Sequence, residues 1–283
     1  MRRSITGIDH CIVLVRELDA ARAQYERLGF TVAPRGLHPP DHGTGNHTVM
    51  LEREYVELLG VLAPTPTNEH WRRDLEHGEG LVALALQTPS ADAVVAEMAA
   101  VGVALEAPVD WARPVVLPDG VRTQAAFRTA HFPPGIAPGF HVFCCEHRTR
   151  HITWRPELLH HANGAISLVE VIGASADPRA DAATVARLFA AEPSAENDGS
   201  FVVETGNSRI RFLTSETLAE RFAGTDLSGL RPSGLVALVV ATRSVADAES
   251  ALARGGVRHS RTKDKIVVAP RDACGVLLVL RQG

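Results

Sequence analysis

Several things are scarce in this chain of 283 residues, and each scarcity excludes something. Aromatic residues make up only 5%, too few for a carbohydrate-binding face of stacked rings. Basic residues are not in excess: Lys and Arg number 29 against 33 Asp and Glu, for a net charge of -4. A nucleic-acid or anionic-membrane partner, which needs a cationic footprint, is therefore not expected. No apolar run approaches the roughly 18 residues of a membrane span, and Asp9 and His10 interrupt the N-terminal stretch before a signal-like core develops. A cytoplasmic location is the resulting expectation. The four cysteines, Cys11, Cys144, Cys145 and Cys274, contain no Cys-x-x-Cys pair, and neighbours such as Cys144 and Cys145 point to opposite faces of a strand. They read as reduced thiols. There is no Gly-x-Gly-x-x-Gly opening a helix, no phosphate-binding Walker loop and no Gly-x-Ser-x-Gly elbow. Nicotinamide cofactors, nucleotides and serine hydrolysis are thereby disfavoured.

What is present is a skewed set of histidines, 13 in all, of which only His259 lies beyond residue 161. A hydrophobic share of 45% and a mean hydropathy of +0.01 describe a chain able to bury a substantial core.

Four segments repeat one order: glycine, apolar strand, cap residue, Ala-rich helix, then short strands. The first runs GIDHCIVLVRELDAARAQYERLGFTV, with Asp19 as expected helix cap and Gly29 as stop. The second, GLVALALQTPSADAVVAEMAAVGVAL, has Ser90 and Gly102 in those roles, and the fourth, GLVALVVATRSVADAESALARGGVRH, has Ser244 or Asp247 and then Gly255-Gly256. The third, beginning GAISLVEVIGASADPRADAATVARLFAAE, lacks the stop glycine. Each helix is followed by strand candidates, such as HTVMLE and YVELLGVL in the first unit. One βαβββ unit cannot bury its own apolar face. The expected fold is therefore α+β, with four βαβββ modules paired into two cupped mixed-sheet domains at residues 1–150 and 160–283. The boundary falls within residues 148–164, where the strand pattern stops.

This arrangement resembles the vicinal oxygen chelate superfamily. The stretch GLHPPDHGTGNHTVMLEREYVELLGVLAPTP is similar to glyoxalase-like domain proteins through its Gly-x-His-Pro loop, Gly-Thr-x-Asn turn and Tyr-x-Glu-Leu strand. The resemblance implies a metal site inside a cupped sheet, with a histidine in the first strand of a module and a carboxylate in its last.

On the residues alone, His10 is a strand histidine on one face with Ile8 and Ile12, and such a residue is more often hydrogen-bonded structure than a ligand. Glu57 stands in an otherwise apolar strand, where an ionised carboxylate must be solvated, paired or metal-bound. The resemblance implies that both are metal ligands and that Glu57 doubles as the catalytic carboxylate. In the second module Ala83 stands where a ligand is expected, while His141 in GFHVFCC reads as the counterpart of Glu57. His10, Glu57 and His141 would then hold a divalent ion, with Fe, Mn, Zn and Ni not distinguished, and leave positions open for substrate. His38 and Asn46 match the family loop and are expected to touch substrate. His42 and His47 read as solvated residues of a loop at the rim, and His70, Trp71 and His77 as a polar connector. His131, His147 and His151 have no spacing that selects them, and Trp154 reads either as a cover for the mouth of the cup or as interdomain packing. In the third module Leu168 falls near the position of His10, so modules three and four are expected to be a degenerate copy. The functional expectation is a metal-dependent enzyme that chelates two oxygens of a small carbonyl, enol or phenolic substrate, of isomerase, lyase or dioxygenase type. The alternative is a non-catalytic small-molecule-binding protein of the bleomycin-resistance type. Homodimerisation is left open.

Overall fold

The computed structural model describes residues 4–283, so the first three residues of the expected first domain lie outside the described chain. Module one comprises β1 (Gly7–Val15), α1 (Leu18–Arg27), β2 (Gly36–Leu37), β3 (Thr44–Met50) and β4 (Tyr55–Val61), followed by α2 (Glu69–Glu76). Module two comprises β5 (Gly80–Gln87), α3 (Ala91–Ala99), β6 (Val109–Val116), β7 (Arg122–His131) and β8 (His141–His147), followed by the short α4 (Arg150–Thr153). Module three is β9 (Ala165–Ala174), α5 (Pro178–Phe189), β10 (Ser194–Ala195), β11 (Phe201–Glu204) and β12 (Arg209–Leu213), with α6 (Ser215–Arg221) after it. Module four is β13 (Gly234–Thr242), α7 (Val245–Arg254), β14 (His259–Arg261), β15 (Lys265–Val268) and β16 (Leu277–Gln282).

Local chemistry explains the helix ends. Ser90 and Ser244 cap α3 and α7 by accepting from the N–H groups of Ala93 and Asp247. α1 departs from expectation: it starts at Leu18 without a side-chain cap, and Asp19 instead pairs with Arg35 at 2.6 Å. α5, which has no stop glycine, ends with Ala190 in the left-handed conformation at φ 48°.

The modules pair as two eight-stranded sheets, ordered β2-β3-β4-β1-β5-β8-β7-β6 and β10-β11-β12-β9-β13-β16-β15-β14. In each sheet the two first strands run antiparallel at the centre, and each lies parallel to the last strand of its own module. The helix-side faces of both sheets share one continuous apolar core, which includes Cys144; Cys145 faces the first cup. All four cysteines are free and buried.

Each first strand carries a bulge at the same place. The ladder between β1 and β5 skips Asp9 and Val82, and that between β9 and β13 skips Val169 and Val236. A bulge breaks strand alternation and lets two successive side chains face one side. Val82 and Ala83 accordingly pack together in the first cup, and Val236 and Ala237 in the second. At this shared place three of the four residues are valine and the fourth is Asp9, fully buried; β9 has one more irregularity, at Ile166.

The second half also grips β1 directly. Asn207, in the turn between β11 and β12, accepts from the Ile8 N–H at 2.9 Å and donates to the Ile8 carbonyl at 2.7 Å. A Cβ on Gly7 would lie 2.2 Å from Asn207 Oδ1, so only glycine admits this contact.

Candidate metal centre

The first cup encloses a cavity of about 160 Å³ whose wall includes His10, His38, Asn46 and Glu57. The parallel register of β1 and β4 sets His10 opposite Tyr55 and Ile12 opposite Glu57, which brings His10 and Glu57 together diagonally. His10 Nε2 lies 3.4 Å from Glu57 Oε2. The His10 ring stacks on Tyr55 at 4.2 Å.

Behind His10, the bulge turns Asp9 toward the same side. Asp9 Oδ1 accepts from His10 Nδ1 at 2.7 Å and from His147 Nε2 at 3.0 Å. Burial alone would raise the Asp9 carboxyl, but His147 and His10 hold it below the usual carboxylate range. With Nδ1 committed to Asp9, the His10 ring turns Nε2 to the cavity, the arrangement in which an outer carboxylate orients a metal-binding histidine.

The second imidazole arrives from the loop after β2. His38 Nε2 lies 3.6 Å from Glu57 Oε1, and its Nδ1 bonds Thr44 Oγ1 at 2.8 Å. Asn46, on β3, donates through Nδ2 to Glu57 Oε1 at 2.7 Å and toward His38 Nε2 at 3.1 Å. Burial lowers the His38 pKa to about 4, so the ring is neutral. Two imidazole nitrogens thus converge on the two oxygens of one buried carboxylate, with the Asn46 amide donating to both His38 and Glu57. The two separations are near the roughly 3.4 Å between donors held about 2.1 Å from a cation in tetrahedral array, although the three residues do not bring one ligand atom each within 4.8 Å of one another.

Asp9, His10 and Cys145 do bring one ligand atom each within 4.8 Å of one another. That grouping is the weaker one, since burial raises the Cys145 thiol well above its ordinary value and Asp9 Oδ1 is already engaged by two histidines.

His141 is not in this cluster. The register pairs it with Ala83, just as Tyr55 pairs with His10, so His141 is the counterpart of Tyr55 and Phe143 is that of Glu57. His141 Nε2 instead meets Asp74 Oδ2 at 2.8 Å, near the rings of His70 and Trp71. The second module therefore supplies no ligand at either repeat position.

Other histidines are placed differently from the sequence reading. His42 lines the cavity, and His47 is buried within β3 with its Nδ1 against the Ala33 carbonyl at 2.8 Å. His70 and Trp71, read as connector, sit on α2 and line the cavity, as does His131. Trp154 does not cover the mouth: it donates to the Leu51 carbonyl at 3.0 Å and packs against Tyr55 and His147. Asp9 and His147 were missed because the bulge cannot be seen in an alternating pattern, although a buried Asp-His dipeptide in an apolar strand is a usable signal.

The second cup shows what the same positions become without such a centre. Glu170, not Leu168, takes the place of His10, because it faces Arg209 as His10 faces Tyr55 and follows the bulged Val169 as His10 follows Asp9. Arg211 then stands where Glu57 does, and its Nε and Nη2 reach Glu170 at 2.9 and 3.2 Å. An internal ion pair fills the position.

Residues 8–189 match the model of the glyoxalase-like domain, which is more than half of the chain. The chain belongs to the glyoxalase-like domain family. No protein of curated function matches it in sequence. Among solved structures, this glyoxalase-like chain is similar to a hypothetical protein from Staphylococcus aureus, with TM-score 0.67, 13% identity, and 98% of this chain and 99% of that one covered. It is also similar to a mutant 4-hydroxymandelate synthase from Streptomyces coelicolor, with TM-score 0.65, 12% identity, and 99% and 94% covered. A xylose isomerase-like TIM barrel/4-hydroxyphenylpyruvate dioxygenase fusion protein gives TM-score 0.60 at 17% identity, covering all of this chain and 49% of that one. At these identities the likeness shows a shared fold. Among the described residues no helix is long and apolar enough to cross a membrane.

Proposed function

We propose that this glyoxalase-like chain is a metal-dependent enzyme with one centre, in the first cup, where His10, Glu57 and His38 would hold a divalent cation. The substrate would be a small carbonyl, enol or phenolic compound offering two neighbouring oxygens. The observation that carries this reading is the buried Glu57 carboxylate flanked by two imidazole nitrogens at 3.4 and 3.6 Å.

When bound, a divalent cation supplies Lewis acidity to a substrate oxygen and lowers the cost of an enolate or oxyanion. The remaining work falls to side chains. Asp9 fixes the His10 ring, and Thr44 and Asn46 fix His38. Asn46 also engages Glu57 Oε1, which leaves Oε2 as the oxygen free to take a proton from carbon beside a carbonyl and return it. The apolar wall of Ile12, Leu59, Phe127 and Phe143 excludes water and strengthens each of these interactions. This is isomerase or lyase chemistry. Two histidines and one carboxylate also suit iron(II) and oxygen, so oxygen uptake by the iron-loaded protein would move the reading to the dioxygenase type.

Metal analysis of protein purified without chelator tests the proposal. Stoichiometric metal lost in His10→Ala and Glu57→Ala is the expected result, with His141→Ala unchanged. Ala83 and Phe143, at the two empty repeat positions, favour the rival, a binding protein with no catalytic metal. Substoichiometric metal indifferent to His10 and Glu57 would establish that rival.

A further inference from the structure

We infer that Arg113 is the anion-recognising residue of the first cup, and that the substrate is a small monocarboxylate on an apolar body. This deepens the proposed function, on which the identity of the bound molecule as substrate rests.

Arg113 lies on β6 in the cavity wall and is the one lining side chain there with a permanent positive charge. The fold makes room for it. A Cβ on Gly36 would come within 2.8 Å of Arg113 Nη1 and 2.5 Å of Asn46 Oδ1, so the glycine of β2 lets the guanidinium and the Glu57-holding amide lie side by side. Other arginines of the same half are engaged: Arg128 pairs with Asp92 and Asp110, Arg148 with Glu146, and Arg16 bonds the Leu75 carbonyl. Among the described residues, Arg113 makes no ion pair within 4.0 Å and no side-chain hydrogen bond, and Glu57 and Tyr55 act on it only at longer range. A partly desolvated guanidinium without a partner is costly unless an anion completes it.

The rest of the cavity narrows the class. A guanidinium fork matches a carboxylate in two parallel hydrogen bonds. Among the described residues only one guanidinium faces the cavity, so the wall provides for one carboxylate of this kind. The body of the ligand meets Ile12, Leu59, Trp111, Phe127 and Phe143, all apolar, in a free volume of about 160 Å³ that suits one ring or a short branched chain.

Calorimetric titration with benzoate and with its neutral isostere benzamide tests the inference on wild type, Arg113→Gln and Arg113→Lys, each checked for folding by circular dichroism and for metal content. Benzoate should bind wild type about tenfold more tightly than benzamide, and Arg113→Gln should remove that preference while leaving benzamide binding and metal content unchanged. Arg113→Lys should restore part of the preference, which a purely structural role would not do. Equal binding of the two probes, no benzoate binding, or a benzoate preference untouched in Arg113→Gln would overturn the inference. A preference lost on chelation but retained in Arg113→Gln would place the carboxylate on the metal and overturn it as well. Arg113-dependent benzoate binding to a protein that holds no metal would sustain the anion site while removing the metal reading, so the two failures are distinguishable.

Discussion

Replacing Arg211 by Met should destabilise the chain far more than replacing Arg211 and Glu170 together. Arg211 is 3% exposed and Glu170 2%, and the pair is joined by two hydrogen bonds, with a third from Arg211 Nη1 to Ser200 Oγ at 2.6 Å. The single change leaves a buried carboxylate with only Arg209 nearby, at 2.5 Å. Breaking one partner of such a pair costs about 3 kcal/mol, whereas replacing both by apolar groups of similar volume is close to neutral. Ile172, Val239 and Val279 already line the same cup, so two methionines would join an apolar surface. Urea and thermal unfolding at neutral pH should show Arg211→Met melting about 6 °C below wild type, on the scale of roughly 2 °C per kcal/mol for a chain of this size. Glu170→Met/Arg211→Met should lie within about 1 kcal/mol of wild type, and both variants should keep their metal content. A single variant that loses almost nothing, or a double variant as unstable as the single, would refute the reasoning.

Two further outcomes follow from the first cup. Asp9→Asn keeps the size of the side chain but removes the charge that orients His10, so metal affinity should fall about 10- to 100-fold in chelator competition; an unchanged affinity would show that Asp9 is only packing. In chelator-treated protein, His38 and His70 have folded-state pKa values lowered by burial to about 4, from an ordinary 6.5. The unfolded chain then binds more protons than the folded one between those values, so stability is full above about 6.5 and is lost as pH falls toward 4. Unfolding free energies measured along that interval should decline, and His38→Gln should flatten the decline; an unaltered slope would exclude His38 as its source.

The order of modules and their pairing could be read from four glycine-strand-helix repeats because hydrophobic periodicity and cap chemistry are local properties. His10 and Glu57 could be singled out because polar side chains in apolar strands need a reason to be there, and His38 and Asn46 because their loop resembles that of glyoxalase-like domain proteins. What could not be read was register. The sequence pattern places Leu168 near the position of His10 and His141 at that of Glu57, whereas the ladders put Glu170 and Phe143 there. The error is small in residues and complete in consequence, since a slip of one flips a side chain to the other face and a slip of two moves it along the strand past the site. Asp9 escaped for the same reason, because a bulged residue breaks the alternation by which faces are assigned. His70, Trp71 and Arg113 reach the cavity from elements that the sequence separates widely, and no local pattern reports such a meeting.

The Asn207 side chain stands in for a strand partner at Ile8, one residue before the bulge that aims Asp9 and His10. It also donates to Glu54 at 2.9 Å, whose other oxygen accepts from the Leu168 N–H at 3.2 Å. The second half is therefore the mount on which β1, with Asp9 and His10, is aligned. Cutting the chain after residue 150 would leave the Ile8 backbone groups without these partners and the buried Glu54 carboxylate without two of its donors. Substitutions in the turn around Asn207 would then surface as altered affinity at a centre they never touch, and the two halves, although repeated in sequence, could not be inherited or engineered as interchangeable parts.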